Sequence, residues 1–324
     1  MTWLIAGGQG FVGLNIAEQC LNEGGQVVLM GPSSAPVAFL DHLYRLPGKL
    51  YLLQGDVASA QDIEQAFQTF KPDCVINAAA ITAGPAREVT AARDIVTVNL
   101  LGTIELLEAC LRHRTRRMLQ LGTGSIFGQA GQWSDWLDEQ TSAAFPDSLY
   151  GISKFAAERT CVRYASLRGV DVSVLRLGTV FGRWEYETGA RDNQSIPLQL
   201  LKAARRGEHS VVFNQCADDW VYSVDVARGV CAAARAPSLE PVYHLSAGMR
   251  WDIRDWCDRL TQQFPGFRCT ISDDPSNCTV GRSASPQRSP MRIDRIVRDT
   301  GYEPAYLAQT AFEDFVQWGS SFLP

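Results

Sequence analysis

The sequence predicts an α/β fold in which a doubly wound parallel sheet carries a smaller, mostly C-terminal lobe. Short apolar runs of strand length alternate with segments of helical periodicity through residues 1–180. That alternation, with short links, is typical of a parallel sheet that helices cover on both faces. After residue 182 the regular alternation lapses, and this change predicts the separate lobe.

Composition is that of a globular protein with a small-molecule partner. The chain has 324 residues, 46% of them hydrophobic, and a formal net charge of −5 with Lys and Arg spread along its length. We therefore expect a substantial core and no nucleic-acid partner. The first strand begins almost at Met1 and no long apolar run follows, so neither a secretory signal nor a membrane span is expected. With neither of these, the protein is expected to be cytosolic. Nine cysteines without a Cys-x-x-Cys pair predict reduced, mostly buried thiols, and no metal site is expected.

The chain opens on a strand, a glycine-rich turn and a helix. The apolar run 2–6 leads into Gly7-Gly8-Gln9-Gly10-Phe11-Val12-Gly13, and helical periodicity follows to residue 22. Gly7 allows the tight turn, Gly10 lets the backbone approach a pyrophosphate, and Gly13 lets the helix pack closely on the strand. The helix N-terminus adds amides and partial positive charge. Glycines also mark ordinary turns, but directly after a first strand they favour dinucleotide binding.

The second and third strands bound the adenosine end of that predicted site. Apolar residues 26–30 lead into Gly31-Pro32-Ser33-Ser34, at the place where an acidic residue usually holds the ribose hydroxyls of NAD. Without that carboxylate, the expected cofactor is NAD or NADP. After the third strand, residues 50–54, Asp56 either accepts from the adenine amino group or caps the helix that starts near Ser59.

Small residues and an asparagine follow the fourth strand, residues 73–77. Ala78-Ala79-Ala80 either leave space for a cofactor or make a tight connection to the next helix. Residues 94–113 have helical periodicity, and Asn99 lies off their apolar stripe. Asn99 is then either an interior polar anchor beside the cofactor or a surface residue.

Hydroxyl groups gather after the fifth strand, residues 118–121. Thr123 and Ser125, in the turn Gly122 to Gly128, either hydrogen-bond a substrate oxygen or satisfy their own backbone. The sixth strand, residues 170–175, brings Leu177 to the same carboxyl edge.

Tyr150 and Lys154 lie four residues apart on the next predicted helix, about 149–168, and so share one face. A tyrosine hydroxyl ionises near pH 10, so it works as a base at neutral pH only when a cation favours the phenolate. Lys154 is placed to be that cation. The alternative is an exposed aromatic beside a solvated lysine.

The last part of the chain is predicted to form the substrate-binding lobe. The polar stretch 183–195 follows a strand's carboxyl end and is a candidate substrate-facing loop. We expect helices at 196–206, 225–234, 253–264, 292–300 and 309–320, extended segments at 210–213, 220–222 and 241–245, and a loop at 273–290. Four arginines here either bind a carboxylate or phosphate or lie on the surface, namely Arg183, Arg191, Arg282 and Arg288. The domains expected are 1–180, completed by segments around 215–250, and a discontinuous lobe in 181–324.

Together these motifs resemble the extended short-chain dehydrogenase/reductase family, often called NAD-dependent epimerase/dehydratases. The resemblance covers most of the chain, and the glycine turn, the turn from Thr123 to Gly128 and the stretch Tyr150 to Lys154 carry most of its specificity. The other matching stretches are 55–57, 75–80, 98–103 and 220–226.

The resemblance implies a Rossmann-type, NAD(P)-dependent oxidoreductase with Thr123, Tyr150 and Lys154 as catalytic residues. Tyr150 would take a proton from a substrate hydroxyl while C4 of the nicotinamide accepts a hydride from the same carbon. Lys154 would hold the nicotinamide ribose and lower the pKa of Tyr150, and Thr123 would hydrogen-bond the reacting oxygen. The expected cofactor contacts are Gly7, Gly10, Phe11, Val12, Gly13, Asp56, Val57, Ala78, Ala79, Ala80, Asn99, Tyr150, Lys154 and Leu177. The expected substrate contacts are Thr123, Ser125, Arg183, Arg191 and Arg282.

Two departures from the family pattern bear on the substrate. Members that dehydrate nucleotide sugars have an Asp-Glu pair after the catalytic threonine; this chain has Gly124-Ser125, which disfavours 4,6-dehydratase chemistry. Nucleotide-sugar members also carry arginine before an Asp-aromatic pair, whereas Asp218 precedes Asp219-Trp220 here. Because a carboxylate there would repel a diphosphate, we expect a sugar, sugar acid or other polyol without the nucleotide.

Three functions stay open at this point. The first is a net oxidoreductase that interconverts a secondary alcohol and its ketone, and the close alternative is a sugar or nucleotide-sugar epimerase that retains its cofactor. The third is a non-catalytic protein that senses cofactor state, against which the intact Tyr150, Lys154 and Thr123 argue. Helices 94–113 and 149–168 resemble those of a four-helix dimer interface, so a homodimer is expected.

Overall fold

A computed structural model describes residues 1–215, 217–281 and 288–323; the predicted substrate contact Arg282 lies outside these ranges. The strands are β1 (Thr2–Ala6), β2 (Gln26–Gly31), β3 (Lys49–Gln54), β4 (Cys74–Asn77), β5 (Arg117–Thr123), β6 (Val172–Leu177), β7 (Thr179–Phe181), β8 (His209–Phe213), β9 (Trp220–Tyr222), β10 (Val242–Leu245) and β11 (Arg268–Ser272). The helices are α1 (Phe11–Asn22), α2 (Val37–Tyr44), α3 (Ala60–Phe70), α4 (Pro85–Val96), α5 (Gly102–His113), α6 (Leu149–Arg168), α7 (Ile196–Arg205), α8 (Ser223–Arg235), α9 (Ile253–Gln263), α10 (Asp294–Thr300) and α11 (Ala308–Phe322).

Seven of these strands form one parallel sheet in the order β10-β6-β5-β4-β1-β2-β3. The chain runs outward from β1 to β3 and then returns to β4 on the other side of β1. This reversal opens a crevice at the carboxyl ends of β1 and β4, where open parallel sheets bind ligands. The predicted doubly wound parallel sheet is confirmed, and β10 extends it beside β6.

The centre of the sheet is buried because helices cover both faces. Every residue of β4, β5 and β6 is buried. One face packs on a large core that includes Leu14 of α1 and Val226 of α8, and the other packs on a core that includes Phe67 of α3 and Leu106 of α5. Among the helices of the described residues, none combines the length and the apolar character that crossing a bilayer requires.

An aromatic cluster organises the C-terminal part of the chain. The ring of Phe181 lies 5.3 Å from Trp256, 5.5 Å from Trp251 and 5.9 Å from Trp220, measured between ring centroids. Contacts of this kind stabilise packing beyond the burial of area alone. These aromatic contacts stabilise the short parallel pair of β7 and β9.

Residues 94–113 are helical throughout, as the periodicity predicts, but the helix is not a regular α-helix. The structure has α4 up to Val96, a π-helical turn at Thr97–Leu101 and then α5. Helical periodicity continues almost unchanged through one wide turn, so the apolar pattern does not reveal it. The wide turn carries Asn99, whose side chain is fully buried.

Candidate active site and cofactor cleft

A cleft of about 670 Å³ runs along the carboxyl edge of the sheet. It starts at the turn after β1, passes the ends of β2, β3 and β4, and reaches β5, β6 and the start of α6. Most of the predicted site residues line it, namely Gly7, Gly10, Phe11, Val12, Gly13, Asp56, Val57, Ala78, Ala79, Ala80, Thr123, Ser125, Tyr150, Lys154, Leu177 and Arg191. The turns that follow these strands therefore lie together along one edge of the sheet, although the strands are far apart in sequence.

The turn after β1 fits a pyrophosphate group. Gly7 has φ of +69°, and a Cβ there would lie 2.6 Å from Cα of Ala79. A Cβ on Gly13 would lie 2.6 Å from the carbonyl oxygen of Gly7, so glycine keeps α1 tight against the turn. A Cβ on Gly10 would meet one atom of the described residues, at 3.2 Å, and no side chain caps the α1 N-terminus. The first amides of α1 are therefore available to an anion in the cleft.

The adenosine end of the cleft carries one carboxylate. Gly31, Pro32 and Ser33 line it at the end of β2, and none of them is charged. Ser59 caps α3 by accepting from the amide of Asp62 at 3.2 Å, so the capping alternative for Asp56 is wrong. Asp56 instead accepts from the amide of Ala58 at 2.9 Å and lies on the cleft wall.

Tyr150 reaches the cleft because α6 begins beside the turn after β5. Ser148 caps α6 by accepting from the amide of Gly151 at 3.1 Å, and Glu88 accepts from the amide of Leu149 at 2.7 Å. A Cβ on Gly151 would lie 2.9 Å from the carbonyl oxygen of Ser125. The glycine after Tyr150 therefore lets α6 approach the Thr123 turn closely.

The environment of Tyr150 combines burial with polar neighbours. Burial raises the pKa of Tyr150, while hydrogen bonding with Thr123 and Thr82 and the positive charges of Arg191 and Arg288 oppose the rise. Lys154 is buried in the cleft wall one turn along α6, and its effect on the Tyr150 pKa stays a prediction. The two arginines that oppose the rise come from farther along the chain.

Thr123 satisfies its own backbone and faces the cleft at the same time. Its Oγ1 accepts from the amide of Ser125 at 3.1 Å and lies 3.1 Å from Oγ of Ser125. The backbone alternative therefore holds for Thr123, and its contact with a substrate oxygen stays a prediction. Thr82, which sequence reasoning missed, adds a third hydroxyl beside Tyr150; its place just after the small residues at the end of β4 was the available signal.

Asn99 does not line the cleft. Its side-chain amide donates to the carbonyl oxygen of Ile81 at 3.1 Å and to Oγ of Ser153 at 3.0 Å, and its oxygen accepts from the amide of Ile81 at 2.8 Å. The structure thus makes Asn99 an interior polar anchor, and the surface alternative is wrong. It ties the segment after β4, which carries Thr82, to the helix that carries Tyr150.

The arginines divide into two groups. Arg183 is not brought to the cleft, because its guanidinium is held by Asp314 of α11 and lies 3.7 Å from Glu18 of α1. Arg191 lines the cleft, 3.1 Å from Glu185, and Arg288 lines it beside Thr123. In the ranges that the structure describes, no cluster of His, Cys, Asp or Glu could hold a metal ion.

Residues 185–192 form a strap across the cleft that sequence reasoning did not foresee. Tyr186 donates to the carbonyl oxygen of Gln9, in the glycine turn, at 2.6 Å. Farther along, the carbonyl oxygen of Ala190 accepts from the amide of Thr82 at 2.8 Å. The strap is thus bonded to both walls of the cleft. The predicted substrate-facing loop, residues 183–195, lies in part over the cofactor turn.

Replacing Lys154 with Met is expected to stabilise the cofactor-free protein at pH 7 by up to about 3 kcal/mol. Burial lowers the pKa of Lys154 from its ordinary 10.5 to about 8. Between pH 8 and pH 10.5 the unfolded chain binds more protons than the folded one, so the free energy of unfolding rises with pH. Below about pH 8 the full cost of burying a charged Lys154 applies. Urea unfolding at pH 7 and pH 10 measures this. An equal difference between variant and wild type at both pH values would contradict the assignment.

Comparisons with known proteins agree with this geometry. The model of the NAD dependent epimerase/dehydratase family matches residues 3–246. A dTDP-glucose 4,6-dehydratase of Xanthomonas campestris pv. campestris (strain B100) is 22% identical, over 98% of this chain and 92% of that protein. A UDP-glucuronate 4-epimerase of Thermodesulfobacterium geofontis is 29% identical, over 76% of this chain and 75% of that protein.

Solved structures show the same fold. A UDP-glucose 4-epimerase of Thermus thermophilus in complex with NAD superposes with a TM-score of 0.82 at 24% identity, and the match covers 100% of both chains. The family resemblance and the prediction of an NAD(P)-dependent enzyme are confirmed. From its strand-turn-helix start to the strand β10, the chain belongs to the NAD dependent epimerase/dehydratase family, the extended short-chain dehydrogenase/reductases.

Proposed function

We propose that the protein is an NAD-dependent sugar epimerase, which oxidises and re-reduces one secondary carbon without releasing its cofactor. The strap, residues 185–192, carries this proposal. It is bonded to the glycine turn through Tyr186 and to the end of β4 through Ala190, so a dinucleotide beneath it could leave only after those bonds open. A retained cofactor suits an epimerase, whereas a net oxidoreductase must exchange its cofactor at every turnover.

The cleft residues have distinct roles in this proposal. When bound, the nicotinamide supplies a two-electron acceptor next to the substrate carbon. Tyr150 accepts the proton of the substrate hydroxyl at its phenolic oxygen and returns it when the hydroxyl re-forms. Thr123 and Thr82 stabilise the ionised Tyr150 oxygen, and Thr123 is placed to bind the reacting oxygen as well. Lys154, buried at the cleft wall, is proposed to bind the nicotinamide ribose.

We infer NAD in preference to NADP. The end of β2 presents Gly31, Pro32 and Ser33, with no basic side chain among them. A 2′-phosphate would lose water there without gaining a charged partner, which is unfavourable. The remaining proposed contacts are the α1 amides for the pyrophosphate and Asp56, Val57 and Ala78 to Ala80 along the adenosine half.

A 4,6-dehydratase reaction is disfavoured, although several relatives carry that name. Dehydratases resemble one another in an acidic pair where this chain has Gly124-Ser125. In the structure a Cβ on Gly124 would lie 2.5 Å from Cζ of Arg288. An acidic side chain at residue 124 therefore has no room while Arg288 keeps its place.

Denaturing the purified protein and identifying the released nucleotide by mass spectrometry tests both cofactor statements. We expect close to one NAD per chain, retained through purification. Incubation with hexoses and uronic acids, free and as UDP conjugates, should then yield an epimer by NMR without lasting absorbance of reduced nicotinamide. Stoichiometric accumulation of NADH from added NAD would establish a net oxidoreductase instead. Bound cofactor without any turnover would favour the cofactor-sensing alternative.

We infer a homodimer that forms through α4, α6 and the π-helical turn between α4 and α5. Val89, Leu101 and Ile152 are large apolar residues on these packed elements and are 86%, 48% and 49% exposed. A partner surface would remove them from water. Sedimentation velocity should give twice the 35.7 kDa of one chain. A monomer at all working concentrations would rule this interface out.

We infer a cytosolic location from the cysteines. Cys20, Cys74, Cys110, Cys161 and Cys231 are buried free thiols, although Sγ of Cys20 lies 3.4 Å from Sγ of Cys231. Thiols that are not joined in disulfides suit a reducing compartment. Cell fractionation tests this, and recovery in a secreted fraction would contradict it.

A further inference from the structure

Arg288 is a cation at the reaction end of the cleft. It lines the cleft together with Thr123, Ser125 and Tyr150. Its Nη2 donates to Oγ1 of Thr179 at 3.2 Å, while its buried Nε has no hydrogen-bond partner within the described part of the chain. Among the described residues, no carboxylate lies within 4 Å of its guanidinium nitrogens.

The backbone around Arg288 is held in place by the loop after β5. The amide of Ser289 donates to the carbonyl oxygen of Gly131 at 2.9 Å, and Leu137 pairs with Met291 as a short parallel bridge. The guanidinium lies against Gly124, where any Cβ would be 2.5 Å from its Cζ. The guanidinium of Arg288 therefore occupies the space that Gly124 leaves open.

Nearby carboxylates do not neutralise Arg288. Asp218 accepts from Oγ1 of Thr179 at 2.7 Å, and Asp219 accepts from Oγ of Ser246 at 2.6 Å. Burial raises the pKa of Asp219 to about 7, against the opposing charge of Arg288, so this carboxyl is partly protonated at neutral pH. A partly buried guanidinium without a full counter-charge is unfavourable unless a ligand supplies one.

We propose that Arg288 binds the carboxylate of a sugar-acid substrate and selects uronic acids over neutral sugars. This inference rests on the proposed function, because the reacting carbon must lie at Tyr150. A uronic acid carries its carboxylate on the same ring as the reacting hydroxyl, and the two carboxylate oxygens match the guanidinium fork. Asp218 beside Thr179 disfavours a doubly charged phosphate at the same place.

Calorimetric titration of NAD-loaded protein with matched pairs tests the proposal. The pairs are glucuronate against glucose and UDP-glucuronate against UDP-glucose, so the carboxylate and the nucleotide are varied separately. We expect wild type to bind the acid of at least one pair about 10- to 100-fold more tightly than its neutral partner. Arg288→Gln should abolish this preference, and Arg288→Lys should retain part of it. Arg292→Gln serves as the control, since Arg292 is in the same segment, is 53% exposed and lies outside the cleft.

Several results would overturn the proposal. Wild-type protein that binds neither uronate, or that binds acid and neutral sugar equally, excludes a carboxylate site. An Arg288→Gln protein that keeps the preference excludes Arg288. If Arg288→Gln binds the acid and the neutral sugar of a pair equally weakly and has a lowered melting temperature, Arg288 is a structural counter-charge for Asp219 and not a substrate contact. The preference is a ratio of two binding affinities and needs no turnover, so it should persist in Tyr150→Phe. The carboxylate-site proposal would therefore survive a failure of the epimerase proposal.

Discussion

Replacing Tyr150 with Phe is expected to lower the turnover number by about 10²- to 10⁴-fold. The substitution removes the oxygen that exchanges a proton with the substrate hydroxyl and keeps the ring. Thr123 and Thr82, whose hydroxyls influence the Tyr150 pKa, keep their places in the cleft wall. Steady-state kinetics on the sugar identified by binding measures the effect, and the NAD content of the variant reports whether the cofactor site is intact.

Tyr164→Phe is the matched control for this prediction. Tyr164 is on the same helix, and its hydroxyl donates to Glu108 at 2.7 Å, away from the cleft. The loss of that one hydrogen bond should change stability by about 1 kcal/mol and leave the turnover number unchanged. Equal turnover by wild type and Tyr150→Phe would remove Tyr150 from the catalytic residues.

Replacing Glu158 with Ala is expected to lower the free energy of unfolding by about 3–5 kcal/mol. Glu158 lies one turn beyond Lys154 on α6 and accepts twice from the Arg176 guanidinium, at 2.8 and 2.7 Å. The side chains are 1% and 6% exposed. Without the carboxylate, Arg176 would keep the carbonyl oxygen of Glu139 at 3.4 Å and the ring of His244, whose pKa burial and Arg176 lower to about 3. A neutral imidazole cannot replace the lost negative charge.

Urea unfolding of Glu158→Ala and Glu208→Ala side by side measures this effect. Glu208 forms an equally close pair with Arg206, at 2.6 Å, but both side chains are about half exposed. Water and salt screen such a pair, so its loss should change stability by about 0–1 kcal/mol. Similar losses in the two variants would show that burial does not set the difference.

Much of the cleft could be predicted from local chemistry. Gly7 and Gly13 are required by a positive φ and by contacts under 3 Å, and both demands are visible as glycines after a first strand. The spacing of Tyr150 and Lys154 puts both on the cleft side of α6, as the helical repeat requires. The division of the chain near residue 180 stays a prediction.

The roles of residues that depend on tertiary contacts were harder to predict. Arg183 and Arg191 look alike in sequence, yet Asp314, more than a hundred residues away, holds Arg183 outside the cleft. The charges of Arg191 and Arg288, which are far from Tyr150 in sequence, oppose the rise of the Tyr150 pKa. The strap depends on a bond between Tyr186 and a carbonyl oxygen, which no side-chain pattern encodes.

Strand and helix periodicity, with the glycines of the first turn, already determine the parallel sheet and the dinucleotide edge. These features depend on neighbours a few residues apart, so they can be recognised in a linear pattern. Tertiary packing decides which charges meet at that edge, since Arg288 reaches Thr123 and Tyr150 across more than 130 positions of sequence and requires the space left by Gly124. Electrostatic effects depend on distance and burial, and both are set by the folded chain.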